Sequence, residues 1–224
     1  VSELSSTQVA ALTTAQIAAM ETADLAAMST SAVAALSSSQ AAAMTTAQVA
    51  ALTTAQAGAI SSAAAAGISA TQVAVLKTAD LAQLTTAAVA ALSASAVGGL
   101  TSAQASNLTT AQLSSLTTGQ VAALSTANTA ALTTTQVGVL TSVQVASLTT
   151  AQVRGLGTAQ VAALTTAQID KLTTTQVGAL TATQVKAIET VDLAKFTAEQ
   201  VAAISTAAVS GLTTDQVVAL TTAQ

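Results

Sequence analysis

The sequence lacks Cys, His, Pro, Trp and Tyr, and its one aromatic residue is Phe196. Without His or Cys it offers no imidazole base, no thiolate and no soft metal ligand. Ser and Thr are abundant, but a hydroxyl nucleophile still needs a base to activate it. We therefore expect that the protein is not an enzyme, with no catalytic, cofactor-binding or metal-binding residues and no cofactor.

Charge is scarce as well. Five basic and nine acidic residues give a net charge of −4, and the segment from Leu81 to Val153 has no charged residue. So few Lys and Arg residues argue against a nucleic-acid partner. A surface with little charge favours self-association. Four of the five basic residues lie between Arg154 and Lys195 and form either a docking patch or a solvated face.

Long apolar runs are also missing, and the start of the sequence shows no leader pattern. No stretch of 18 apolar residues occurs, because a polar pair interrupts the chain every eight residues, so we expect no membrane span. The first residues already follow the internal pattern, and we therefore expect no signal peptide.

An eight-residue repeat runs through the whole chain without insertion or deletion. Starting at Leu4 and stepping by eight, all 28 positions hold Leu, Met, Ile or Phe. We number this residue position one of the unit, whose commonest form is L-T-T-A-Q-V-A-A. Position two is Ser or Thr in 24 of 28 units, position five is Gln in 19, and position six is Val, Ile or Leu in 23. We expect a single array over residues 1–224.

The unit carries two signals for the start of a helix. Thr165-x-x-Gln168 is an example of the capping box, in which the hydroxyl accepts from the third amide of a new helix and Gln reaches back to the cap. Positions one and six occupy the two sites of the hydrophobic staple. The next hydroxyl pair starts another cap, which predicts a separate helix of about six residues in each unit.

This pattern predicts an all-α solenoid of very short capped helices, and two alternatives remain open. One continuous helix would need a hydrophobic period of about 3.5 to 3.7, whereas the repeat gives about 4.0. A β-solenoid could pair two units in a coil of about 16 residues, although Ala and Gln are poor strand residues. A lone unit buries too little apolar surface to be stable, so units must stack. We expect small residues to let adjacent turns approach closely at Gly58, Gly98, Gly99, Gly138 and Gly178.

Three units depart from the pattern in the same way. Asp replaces Gln at position five, and a charged residue stands at position two. The pairs are Glu21 with Asp24, Lys77 with Asp80, and Glu189 with Asp192. We expect the cap to move to the Thr at position three, with Asp in the first turn, where the helix dipole favours negative charge. A metal site is the alternative, and such sparse carboxylates give it little support.

The phase of the ends suggests assembly. The chain begins at position six with Val1 and stops at position five with Gln224, without a distinct capping unit. Solenoids normally need polar end caps for solubility. The sequence therefore predicts either an excerpt from a longer array or chains that join head to tail into open filaments.

The L-T-T-A-Q-V-A-A unit resembles the Ala/Thr-rich octapeptide-repeat tracts of very large bacterial cell-surface and adhesin-like proteins, and the resemblance covers the whole chain. It implies an extracellular or cell-surface filament, stalk or adhesin spacer whose partner is a further copy of itself. An ice-binding or other surface-binding solenoid is the alternative, because evenly spaced Thr hydroxyls and methyls could match a lattice. We expect both hydroxyl positions to be engaged in capping, which weighs against that alternative.

Overall fold

The computed structural model describes residues 3–224, and over that range the chain is all-helical, without a strand. It forms 27 α-helices of four to six residues, one in each unit from the one that starts at Leu4 to the one that starts at Leu212. The prediction of short helices is confirmed, and both the continuous helix and the β-solenoid are wrong. The helices are α1 Ser6–Ala10, α2 Thr14–Ala19, α3 Thr22–Ala27, α4 Thr30–Ala34, α5 Ser38–Ala43, α6 Thr46–Ala51, α7 Thr54–Gly58, α8 Ser62–Ala65, α9 Ala70–Val75, α10 Thr78–Leu81, α11 Thr86–Ala91, α12 Ala94–Gly98, α13 Ser102–Asn107, α14 Thr110–Ser115, α15 Thr118–Ala123, α16 Thr126–Ala131, α17 Thr134–Gly138, α18 Ser142–Ala146, α19 Thr150–Gly155, α20 Thr158–Ala162, α21 Thr166–Ile169, α22 Thr174–Ala179, α23 Ala182–Ala187, α24 Thr190–Leu193, α25 Ala198–Ala203, α26 Thr206–Val209 and α27 Thr214–Ala219.

The capping box sets the start of most helices, as α15 illustrates. The Thr117 hydroxyl accepts a hydrogen bond from the backbone N–H of Gln120 at 3.2 Å. In return, Gln120 Oε1 accepts from the backbone N–H of Thr117 at 2.7 Å. The helix ends at Ala123, and the next residue, Leu124 (φ −56°, ψ 138°), leads directly into the next cap. Cap, helix and extended link together use up the eight residues of the unit.

The chain divides into two compact units, Val1–Leu124 with α1–α15 and Ser125–Gln224 with α16–α27. Within each, a helix packs on the helix three places further along the chain, as α9 does on α12 and α22 on α25. Hydrogen bonds described below reach back to the helix four places earlier. Each turn of the solenoid therefore contains between three and four octads, a number that the sequence pattern leaves open.

In both compact units, the interior is built from the residues at positions one and six of the octads. Leu113 and Val121, at position six, are fully buried, and Leu116 and Leu124, at position one, are nearly so. These are the two staple positions, so the residues that fix the start of each helix also supply its apolar contacts. Phe196 takes the position-one site and is buried. No helix within residues 3–224 is long and apolar enough to cross a membrane.

Candidate functional site

The glutamine at position five joins each turn to the preceding one. Gln120 Nε2 donates to the backbone carbonyl of Leu92 at 2.7 Å and to that of Val89 at 3.0 Å, 28 and 31 residues earlier. Its Oε1 is already engaged with the Thr117 amide. A single side chain therefore caps the start of its own helix and the end of the helix four places before it.

This contact recurs through both units, and we call the resulting column of side chains the glutamine ladder. In the first unit the bonds to the position-one carbonyl measure 2.7–2.8 Å. In the second they measure 2.5–2.7 Å. Side chains with this bond include Gln40, Gln48, Gln56, Gln72, Gln104, Gln112, Gln120, Gln160, Gln168, Gln176, Gln184, Gln200, Gln216 and Gln224.

The ladder explains how buried amides can be tolerated in an apolar core. A helix end leaves carbonyl groups without an intrahelical partner, and a buried polar group without a partner is costly. Gln112 is 2 % exposed, yet its Nε2 donates to Leu81 and Leu84, and its Oε1 accepts from Thr109. The sequence pattern assigned Gln to its own cap alone. Its second partner lies in another turn of the solenoid. Because all octads have nearly the same sequence, the pattern does not indicate which octad supplies that partner.

The two hydroxyl positions have different roles. Hydroxyls at position two accept the capping hydrogen bonds, as predicted. Position three is the first helical residue, and its hydroxyl extends into solvent, as at the exposed Thr118, Thr150 and Thr174. The expectation that both positions are engaged in capping is therefore wrong. The position-three side chains form a regularly spaced set of exposed hydroxyls and methyls.

The caps of the three Asp units do not move, and that expectation is also wrong. Glu21, Lys77 and Glu189 still occupy the N-cap without a side-chain capping bond, and the helices still begin at Thr22, Thr78 and Thr190. Packing against neighbouring turns holds the helix start at position three even where the capping side chain is lost. Asp24, Asp80 and Asp192 lie in the first turn, as predicted.

Two of these carboxylates are buried at the ladder position, which the sequence did not indicate. Asp80 is 1 % exposed; its Oδ1 accepts from the Thr54 hydroxyl at 2.7 Å, and its Oδ2 lies 3.8 Å from Lys77 Nζ. Asp192 is 5 % exposed, and its Oδ1 has no hydrogen-bond partner. Asp80 Oδ2 also lacks a hydrogen-bond partner, but Lys77 offsets its charge, whereas the residue three places before Asp192 is Glu189.

Five units replace the ladder glutamine with Ala, and three of these also have Gly at position eight: Gly67, Gly99 and Gly211. A Cβ atom on Gly99 would lie 2.6 Å from the Ala70 carbonyl oxygen, and at Gly67 and Gly211 it would overlap the backbone of the preceding turn still more. At these three sites the turns come close enough that only Gly fits, whereas the other two octads with Ala at position five have Ala at position eight. Close approach is confirmed at Gly98, Gly99 and Gly178, whereas Gly58 and Gly138 have room for a methyl group.

Apart from the buried Asp80 and Asp192, charged groups are dispersed over the surface. Within residues 3–224 no three of the Asp, Glu, His or Cys side chains come together as a metal site would require. Lys171 pairs with its exposed neighbour Asp170 at 3.1 Å. Hydrogen bonds from its own backbone N–H and from the Thr197 hydroxyl lower the pKa of exposed Glu199.

The short stacked helices and the ladder that joins them define a helical solenoid repeat protein. A family model described as the ALTTAQ repeat matches residues 17–54, 73–110, 113–150, 142–174 and 185–222. These segments cover well over half of the chain, which therefore belongs to the ALTTAQ repeat family. Neither the curated proteins nor the solved structures contain a match to the chain.

Proposed function

We propose that this chain is a structural spacer, a section of an extracellular filament, stalk or adhesin at the bacterial cell surface. The ladder supports this role most directly. Because the ladder glutamines within each compact unit bond to the same pair of carbonyls in the preceding turn, an added octad with Gln at position five brings its own cap, its own core residues and its own bonds between turns. Stability in such an array is a sum over neighbours, so its length can grow without a new core design.

The surface and the composition fit the same role. A surface of hydroxyls, amides and methyls with little charge allows copies to associate side by side or end to end. The proposal assigns no catalytic step to the chain, in line with its lack of His and Cys. The extracellular location rests on the resemblance to cell-surface repeat tracts, and antibody labelling of intact cells tests it.

Duplicating residues 149–180, four octads that each have Gln at position five, tests the spacer role. We expect the maximum dimension measured by small-angle scattering to rise by about 10 Å, close to one helix-to-helix spacing. The helical circular dichroism signal should grow in proportion to chain length, with no fall in the thermal midpoint. A four-residue insertion at the same site breaks the octad register and should lower the midpoint instead.

Two outcomes would count against the spacer. If the duplicated chain became wider instead of longer, the array would not extend along one direction. If electron microscopy of the intact protein showed only short dispersed monomers, the filament form of the proposal would fail and a monomeric stalk would remain.

Ice binding is a second candidate, and the exposed position-three hydroxyls favour it. Thr118, Thr150 and Thr174 present a hydroxyl and a methyl group that capping does not engage. We expect measurable thermal hysteresis at millimolar protein if these residues match an ice lattice, and its loss when they are changed to Lys. Absence of hysteresis in the parent protein removes this candidate.

A further inference from the structure

Asp192, in the second compact unit, is a buried carboxylate whose charge no other side chain offsets. It is 5 % exposed, and its Oδ1 is enclosed without a hydrogen-bond partner. Within residues 3–224 it makes no ion pair. A buried charge is costly unless it is paired, and an ionised carboxylate can only accept hydrogen bonds. The group that completes this site must therefore bring a positive charge or hydrogen-bond donors.

The register of the glutamine ladder shows which group Asp192 faces. One octad further on, Gln200 Nε2 donates to the Leu172 carbonyl, 28 residues earlier, at 2.6 Å, and the glutamine one octad before makes the same bond at 2.7 Å. The same register places Asp192 opposite the Leu164 carbonyl, in line with the packing of α24 on α21. Leu164 follows the end of α20, and its carbonyl accepts no hydrogen bond within residues 3–224. Carbonyls at a helix end favour a cation.

The Asp80 octad, in the first compact unit, shows how a cation completes such a site. Lys77, three residues before Asp80, brings its ammonium to 3.8 Å from Oδ2 and acts as a counter-ion. The Thr54 hydroxyl, 26 residues before Asp80, donates to Oδ1 at 2.7 Å. Residues 3 and 26 places before a buried ladder aspartate can therefore both reach its carboxylate.

The Asp192 octad has the same layout, but its charge is reversed. Glu189 stands three places earlier instead of a lysine, and Thr166 stands 26 places earlier without donating to Oδ1. Asp192 and Glu189 together carry two negative charges, and no ion pair to either is found within residues 3–224. This turn therefore brings together two carboxylates, a hydroxyl and the Leu164 carbonyl, all of them oxygen groups.

We propose that this turn binds one Ca²⁺ ion between Asp192 and the Leu164 carbonyl, with Glu189 and Thr166 as further oxygen ligands. The ion takes the place that the lysine ammonium has in the Asp80 octad. Ca²⁺ binds carboxylates, backbone carbonyls and water in a flexible geometry, so two acidic side chains are enough. Mg²⁺ demands a near-ideal octahedron and keeps several waters, which suits a site between packed turns less well.

Calorimetric titration of the full chain with CaCl₂, after removal of metal ions with EDTA, tests the proposal. We expect one site with a dissociation constant of about 0.1–1 mM, at the weak end of protein calcium sites, because only two carboxylates take part. The thermal midpoint should rise with calcium concentration, since the ion binds the folded chain. Magnesium should bind at least about tenfold more weakly. Amide shifts in ¹H–¹⁵N spectra should centre on α24 and on the link before α21.

Three variants separate a built site from a general attraction of calcium to acidic residues. Glu189→Lys reproduces the layout of the Asp80 octad, so it should abolish calcium binding and raise the thermal midpoint measured in EDTA. Asp192→Asn keeps the shape of the side chain without its charge and should weaken binding at least about tenfold. Glu21→Lys is the matched control, because it makes the same exchange beside Asp24, which is only half-buried, and should leave calcium binding unchanged.

Three results would overturn the proposal. The first is the absence of saturable calcium binding to the parent chain below about 10 mM, well above the expected dissociation constant. The second is undiminished binding in folded Asp192→Asn. The third is an equal rise of the thermal midpoint with magnesium and calcium, which would indicate screening of surface charge. The spacer role is tested separately by chain length, so none of these results depends on it.

Discussion

Replacing Gly211 with Ala is expected to lower the free energy of unfolding by about 3 kcal/mol, at the upper end of the usual cost of overpacking. The added methyl group would overlap the carbonyl of Ala182 in the turn below, and backbone cannot rotate away as a long side chain can. The same change at Gly67 or Gly99 should have an effect of similar size. Urea unfolding followed by circular dichroism measures the loss.

Gly155→Ala is the matched control, because Gly155 also lies at position eight but in an octad that has Gln instead of Ala at position five, Gln152. A methyl group there would lie 3.8 Å from Thr126, an ordinary contact distance. Gly155 is the last residue of α19, so Ala should stabilise the protein by up to about 1 kcal/mol through helix propensity. Equal losses at Gly155 and Gly211 would show that the close approach of turns is not the cause.

No described residue has a positive φ. Gly is therefore required at these positions because the neighbouring turn leaves no room for a Cβ atom, and not because of backbone conformation. The sequence pattern predicts close approach of adjacent turns correctly at Gly98, Gly99 and Gly178 and wrongly at Gly58 and Gly138. It missed Gly67 and Gly211 because their meaning depends on a pairing 29 residues away, with Ser38 and Ala182. The signal that could have found them is the joint occurrence of Ala at position five and Gly at position eight.

The helices themselves could be predicted because every signal for them lies within eight residues. Capping box, staple and extended link are local, and Thr117 and Gln120 meet as the pattern requires. The stacking could not be predicted. In a regular repeat, every possible pairing of octads brings the same residue types together, so the sequence does not indicate which octads pack on one another. For the same reason the burial of Asp80 and Asp192 was missed: position five looks like a surface site until the preceding turn covers it.

Replacing Gln120 with Glu is expected to destabilise the protein by about 3 to 5 kcal/mol at neutral pH, the cost of an unpaired buried charge. The carboxylate can still accept from the Thr117 amide, but its second oxygen would face the Leu92 and Val89 carbonyls, where Gln donates now. Burial raises the pKa of the new carboxyl above its unfolded value of about 4.3. The neutral acid can donate to Leu92, so the deficit should be largely absent below the unfolded pKa and grow as pH rises through the folded one.

Two further substitutions show whether the bonds between turns cause that loss. Gln8→Glu keeps an exposed capping box, with Ser5 donating to it at 2.8 Å, and Gln8 makes no bond to another turn that the structure describes, so it should change stability little. Asp192→Gln is the reverse exchange at the buried ladder position. It removes an unpartnered carboxylate oxygen and restores a donor towards the preceding turn, and should stabilise by about 1 to 3 kcal/mol. Urea midpoints at pH 3 and pH 7 for all three variants give the result. If Gln8→Glu and Gln120→Glu lost the same stability, the glutamines would act only as caps, and the contact between turns would have to come from the apolar core.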